Sequence, residues 1–286
     1  MPSPRVTVII ATYNWSTVLP FAIDSVLGQT LDDLELLVVG DGCTDDSEQV
    51  VRAINDPRIR WINLPENTGH QSGPNNRGLQ EARGEYIAYL GHDDIWLKHH
   101  LACSVGRLEQ SSADIAHTLL LRVFPGGTIG MPMLAKPEFG TGAAPSCRVH
   151  RRSVVEKIGG WNDYRSIAIT PEMDFMARAQ AAGLSAIFVP RLTGIKFPAA
   201  QRRDVYRQRP NHEQALWSQR VKSNPDFEAE YLARTVETTA RNLQPEMPIR
   251  ELVGSFAHEI VSRARRRLSQ PVDGAAIDNN KKYKGL

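Results

Sequence analysis

Residues 86–94 read Tyr-Ile-Ala-Tyr-Leu-Gly-His-Asp-Asp, an apolar run that ends in a histidine and two adjacent carboxylates, Asp93 and Asp94. Neighbouring carboxylates repel each other, so a divalent cation and the phosphates it bridges are a natural partner for them. Two more polar turns follow apolar runs: Thr12-Tyr13-Asn14 after Val6 to Ala11, and Gly40-Asp41-Gly42 after Leu34 to Val39. A buried carboxylate such as Asp41 can accept a hydrogen bond from a base N–H, and turn amides can meet ribose and phosphate. An isolated Asp-Asp fits a solvated acidic turn better than a ligand site; the case for a ligand rests on several such turns meeting.

The elements needed to bring them together are legible. Val6 to Ala11, Leu34 to Val39, Arg58 to Asn63 and Tyr86 to Leu90 are expected strands, and Val18, Leu19, Ala22, Ile23, Val26 and Leu27 recur at helical spacing between the first two. A second helix carries Val50, Val51 and Ile54, with Thr44 or Asp45 as its expected N-cap. Asn67 to Asn76 is a loop rich in Gly, Asn and Pro, followed by a short helix to Arg83. Strand and helix alternating in this way predict an α/β fold with a mostly parallel sheet flanked by helices. Ligands of such sheets bind beyond the carboxyl ends of the strands, where all three polar turns lie. The first turn lacks a glycine-rich dinucleotide fingerprint, and no Gly-Lys-Ser/Thr loop is present, which disfavours hydride transfer and P-loop hydrolysis.

With 286 residues, 41% of them hydrophobic and 23% charged, the chain can bury a full core. No apolar run reaches the ~18 residues that span a bilayer, and the N-terminal run is too brief for a signal peptide. Cys43, Cys103 and Cys147 lack metal or disulfide spacing. The expectation is a soluble, cytoplasmic protein, at most peripheral to a membrane. Residues 1–200 carry 18 Lys/Arg against 21 Asp/Glu, and residues 201–286 carry 16 against 11, so the tail is the basic part. Its Arg263, Arg265, Arg266 and Arg267 suit a solvated helix face better than anionic lipid, and nothing points to nucleic-acid binding.

Val-Thr-Val-Ile-Ile-Ala-Thr-Tyr-Asn at 6–14, Ser25 to Thr30, Leu37 to Asp45, Asn67-x-Gly69, and Ala82 to Ile87 leading into His92-Asp93-Asp94 together resemble the family 2 glycosyltransferases of the GT-A fold, over roughly residues 5–200. The resemblance implies a nucleotide-diphospho-sugar donor, a UDP-sugar being favoured. It also implies Mn2+ or Mg2+ on Asp93 and Asp94, and inverting transfer to a saccharide, lipid-linked or small-molecule acceptor. Thr12, Tyr13, Asn14, Asp41, Asn67, His70, Asn76 and Asp93 are the expected donor contacts. Three positions depart from the pattern. Gly40 stands where the second turn usually has its first acid, Gly91 where the metal motif usually opens with an Asp, and Asn75 where an arginine often precedes the asparagine.

Inversion needs a base on the acceptor side. Gly159-Gly160-Trp161-Asn162 and Pro171-Glu172-Met173-Asp174, with Arg178 beyond, resemble the family's acceptor segment and place Glu172 at the catalytic position. The alternative is that Glu172 only favours a helix N-terminus while Asp174 does the chemistry or pairs with Arg178. Trp161 is expected against a sugar or in the core. His99 and His100, after Trp96-Leu97-Lys98, are expected to start a helix leading away from the site, which argues against a zinc cluster with His92. Phe124 to Ala144 is expected to be an acceptor loop. The expected organisation is a GT-A domain over 1–200, a helical extension over 201–270 and a flexible tail over 271–286. The extension's helices are expected at Arg203 to Val221, Phe227 to Leu243 and Ile249 to Leu268. They are candidates for homodimer or membrane contact. Rival readings are an inactive sugar-nucleotide binder and a metal-dependent phosphohydrolase.

Overall fold

Strand residues alternate between two faces, and both faces find a cover. Val6, Val8 and Ile10 pack with Leu19, Ile23, Leu101 and Val105, while Ile9, Leu37 and Ile87 pack with Val154, Phe175 and Met176 on the other side. The computed structural model describes residues 3–130, 144–242 and 281–285. In chain order the elements are β1 (Val6–Thr12), α1 (Leu19–Leu27), β2 (Leu34–Gly40), α2 (Ser47–Ala53), β3 (Ile59–Asn63), α3 (Ser72–Glu81), β4 (Tyr86–Gly91), β5 (Ile95–Trp96) and α4 (His100–Glu109). They continue with β6 (Ile115–Val123), β7 (Ile129–Gly130), β8 (Arg148–Arg151), α5 (Arg152–Ile158), α6 (Pro171–Ala181), β9 (Ala186–Lys196), α7 (Val205–Gln208), α8 (His212–Ser223) and α9 (Phe227–Asn242).

The sheet runs β3-β2-β1-β4-β8-β6-β9-β5, with β7 pairing on β6. Its first four strands are parallel, β8 is antiparallel to both neighbours, and β6 and β9 run parallel. The mostly parallel α/β reading holds, with antiparallel β8 joining the β3-β2-β1-β4 half to the parallel β6–β9 pair.

Several conspicuous motifs are structural. Buried Glu35 receives Arg83 Nη2 at 2.7 Å and Thr7 Oγ1 at 2.7 Å, which explains the Ala-Arg-Gly run before β4. Gln29 ties α1 to the start of α4: its amide donates to Leu97 O at 2.9 Å and its carbonyl accepts from Leu101 N at 2.9 Å. His100 does begin α4 as expected. Neither expected cap closes α2; Asp46 precedes it, while Asp45 accepts from Ser47 N and Ser47 Oγ.

Beyond residue 200, the helix expected from Arg203 to Val221 is broken into α7 and α8. Arg209 adopts a left-handed φ of 49° and Pro210 follows it. Trp217, Phe227 and Tyr231 bury themselves against Leu192, Ile195 and Phe197 of β9 and its exit, so α8 and α9 complete the core on that edge. The expected helix from Ile249 to Leu268, and the part of the acceptor loop over 131–143, lie outside the described residues. Residues 281–284 form a helical turn inside the segment expected to be a loose tail.

Candidate active site

Register brings the polar turns together. Thr12 pairs with Gly40 across β1 and β2, and Ala11 pairs with Gly91 across β1 and β4, so the residues just beyond them, Asp41 and Asp93, emerge along one sheet edge. They open into a cleft of about 860 Å³ that Thr12, Tyr13, Asn14, Asn67, His70 and Glu172 also line. Eight of the expected donor and catalytic residues thus share one cavity. Asn76, Asp94, Trp161 and Asp174 do not line it.

Asp41 is 4% exposed and accepts from Thr68 N (3.0 Å), Thr68 Oγ1 (2.8 Å) and Gly69 N (3.3 Å). Burial pushes its pKa up, and those three donors oppose the rise. A carboxylate has about four acceptor sites, so one stays open towards the cleft. Gly40 has a steric reason: a Cβ there would come within 2.9 Å of the Trp61 ring and collide with Asn63. Asn14, with φ of 44°, accepts from Thr44 N (2.8 Å) and Asp45 N (3.2 Å), binding the first turn to the second. His70 is drawn towards the neutral form by burial, and its Nδ1 meets Ser72 Oγ at 3.2 Å.

At the end of β4 a tight turn closes with Asp94 N donating to Gly91 O at 3.0 Å. Asp93 lines the cleft. Asp94 turns inward, is 1% exposed, and accepts from Lys196 Nζ (2.8 Å), Ser146 Oγ (2.6 Å) and Phe197 N (3.1 Å). His92 is held by burial near a pKa of about 4, and both its nitrogens are engaged, Nδ1 with Thr12 Oγ1 (2.9 Å) and Nε2 with Tyr206 OH (3.4 Å). At Gly91 a Cβ would lie 2.8 Å from Asp94 Oδ2 and 3.1 Å from Asp93 Oδ1, so the acid usual at this position would have to move those carboxylates. No group of three or more His, Cys, Asp or Glu side chains able to hold a metal ion occurs among the described residues. Of the expected Asp93–Asp94 couple, Asp93 alone lines the cleft, while Asp94 already accepts from an ammonium, a hydroxyl and an amide, a donor set poor for a divalent cation that would need both carboxylates.

Glu172 and Asp174 separate equally clearly. Pro171 opens α6, with a fixed φ suited to a first helical position. Glu172 reaches the cleft and accepts from the Gln71 side chain. Asp174 accepts from Arg178 Nε (2.8 Å) and Asn162 Nδ2 (3.0 Å), and the same guanidinium donates to Ile158 O (2.6 Å) and Gly160 O (2.7 Å). That cluster holds the Gly-Gly-Trp-Asn turn against α6. Trp161, expected on a sugar or in the core, is 4% exposed and stacks on Phe175 with ring centroids 5.0 Å apart. Asn76, expected on the donor, clamps the Trp161 backbone instead, accepting from its N–H (2.7 Å) and donating to its carbonyl (2.8 Å).

The sequence reading missed the cations. Lys196, Arg207, Arg209, Lys281 and Lys284 all line the cleft, together with Tyr206. Lys196 ends β9, where an alternating strand gave no sign of which charged residue turns inward. Lys281 and Lys284 arrive from the far end of the chain. Lys281 Nζ donates to Tyr164 OH at 2.7 Å, and Asp204 N donates to Tyr283 O at 2.9 Å, which seats the turn at residues 281–284 against α7.

Residues 7–143 match the family described as Glycosyl transferase family 2. Among curated relatives, succinoglycan biosynthesis protein ExoO of Rhizobium meliloti is 35% identical over 146 residues, covering 48% of this chain and 42% of its own. GalNAc(5)-diNAcBac-PP-undecaprenol beta-1,3-glucosyltransferase of Campylobacter jejuni is 32% identical over 123 residues, covering 41% and 39%. The chain thus spans well under half the length of these relatives. Of solved structures, S. aureus TarS in complex with UDP-GlcNAc superposes with a TM-score of 0.58 at 18% identity, over 68% of this chain and 58% of that one. Mannosyltransferase PcManGT from Pyrobaculum calidifontis, in complex with GDP-Man and Mn2+, does so with 0.53 at 19% identity, over 93% and 83%. At these identities the likeness is one of fold.

Proposed function

We propose that the chain, whose residues 7–143 match the family described as Glycosyl transferase family 2, transfers a sugar from a nucleoside-diphosphate donor to a hydroxyl acceptor with inversion at the anomeric carbon. The observation that carries this reading is the meeting of Asp41, Asp93 and Glu172 in one cleft at the carboxyl edge of a parallel sheet.

Asp41, with its open acceptor site, takes the imide N–H of the base; a UDP-sugar is the favoured donor. The amides and side chains of Thr12 to Asn14 meet ribose and phosphate, and the diphosphate lies towards the end of β4. The acceptor hydroxyl enters from the α6 side. Its proton passes to the Glu172 carboxylate as its oxygen bonds to the anomeric carbon, and the bond from that carbon to the phosphate oxygen breaks with the electron pair leaving on the diphosphate. Gln71 orients the base by donating to it. Since the Campylobacter jejuni relative is named for an undecaprenol-linked acceptor, a lipid-linked saccharide is the first acceptor class to try. No helix among the described residues is long and apolar enough to cross a membrane, so such an acceptor would be met at a surface.

A thermal-shift screen of UDP-, GDP- and dTDP-sugars tests the donor, because selective binding stabilises the folded state by mass action. UDP or a UDP-sugar is expected to raise Tm, and transfer is expected from the same nucleotide. A protein whose Tm no nucleotide sugar moves is not a transferase of this kind. Binding without turnover, unaltered by Glu172→Gln, would make it a degenerate binder.

A further inference from the structure

Resting on the transferase reading, we propose that the donor diphosphate is neutralised by two ammonium groups of the chain itself, Lys196 Nζ and Lys284 Nζ, and that binding and transfer need no divalent cation. Asp93 and Asp94 are the carboxylates that would hold a divalent cation at the end of β4, and Lys196 already holds one of them, Asp94, at 2.8 Å while lining the same cleft. A divalent ion binding both carboxylates would have to displace that ammonium from a carboxylate that is 1% exposed, and would then sit beside it as a like charge.

Three further features agree. Gly91 supplies no third acid beside the pair, and a side chain there would press on both carboxylates. The cleft gathers five cationic side chains, Lys196, Arg207, Arg209, Lys281 and Lys284, beside Asp41, Asp93 and Glu172, with Lys196 paired to Asp94 and Arg207 beside Asp204, so several groups able to meet an anion lie in one place. Burial disfavours the ammonium of Lys284, which lies within electrostatic reach of Asp93, Lys196 and Glu172; an incoming phosphate oxygen relieves that cost. The two lysines come from different parts of the chain, Lys196 from the end of β9 and Lys284 from the turn at residues 281–284, and both line the cleft. Lys196 is only 24% exposed, so its charge acts in a poorly solvated site where it is screened little.

The test is calorimetric titration of the full chain with UDP, GDP and dTDP, first in EDTA and then with excess Mn2+ or Mg2+, followed by transfer assays under the same conditions. For whichever nucleotide binds, the dissociation constant is expected to change less than about threefold between EDTA and metal, and transfer is expected to survive EDTA. Lys284→Ala is expected to weaken binding about tenfold or more, the loss of one charge-assisted contact. Because Lys196→Ala risks unfolding by leaving Asp94 unpaired, the Lys196→Met/Asp94→Asn double variant accompanies it. That variant is expected to fold and likewise bind at least tenfold more weakly. A metal-dependent gain of tenfold or more, or unchanged affinity in either Lys284→Ala or the double variant, overturns the proposal while leaving the transferase reading intact. Failure of UDP, GDP and dTDP alike to bind in either buffer sinks the transferase reading itself and this inference with it.

Discussion

Replacing Glu172 by Gln isolates proton transfer from everything else the cleft does. The amide keeps the size of the side chain and leaves an oxygen to accept from Gln71, so the local arrangement survives. What is lost is the proton acceptor, and a positioned general base contributes about 10²–10⁴ in rate, or about 3–5 kcal/mol of barrier. The structural cost is much smaller. Glu172 sits in the first turn of α6, where removing a negative charge near the helix N-terminus costs about 0.3–1 kcal/mol. For a chain of this size that is a fall of only about 1–4 °C in Tm. Kinetics should therefore show kcat down by at least about a hundredfold, with the donor dissociation constant within about threefold of the parent and the far-UV spectrum unchanged. A folded Glu172→Gln protein with kcat within about fivefold of the parent would refute the assignment of the base.

Asp174→Asn should show the opposite pattern: kcat changes little, while weakening the partly buried contact to Arg178 lowers stability by about 1–2 kcal/mol, read as a shift in the urea midpoint. Lys196→Ala alone should destabilise by about 3–5 kcal/mol, since it strands a buried carboxylate, and the Asp94→Asn partner substitution should recover a large part of that; a single variant as stable as the parent would mean that the pair is not formed. Gly91→Ala places a Cβ 2.8 Å from Asp94 Oδ2 and should cost about 1–3 kcal/mol with a weakened nucleotide site, measured by thermal shift with and without UDP. His100 and His150 are buried with folded pKa values of about 3 and about 4, against 6.5 when unfolded, so the unfolded chain takes up protons that the folded one refuses. Their contribution to stability is complete above about pH 6.5 and is lost as pH falls towards 4, at up to about 1.4 kcal/mol per pH unit for each imidazole. Urea unfolding at pH 7 and pH 5 measures this loss, and equal midpoints would contradict it.

The local part of this molecule is written in its sequence. Apolar runs at strand spacing, helical periodicity between them and polar turns at the strand ends follow from neighbours along the chain, so β1 to β4, α1 and the convergence of Asp41 with Asp93 could be read directly. Glu172 ahead of Asp174 came from the family resemblance rather than from periodicity; in the structure Glu172 lines the cleft and Asp174 pairs with Arg178. Glycine at 40 and 91 could be seen but not understood until Trp61, Asn63 and the two aspartates surrounded them. Tertiary structure alone decided which charges face which. Asp93 and Asp94 are adjacent and alike in sequence, yet one turn of backbone sends the first into the cleft and the second onto Lys196, more than a hundred residues away. Lys284 reaches the same cleft from the end of the chain, and Trp161 and Asn76 prove to be packing partners. Such contacts join residues far apart in sequence, and neither periodicity nor local propensity carries information about a partner that only the folded chain brings near.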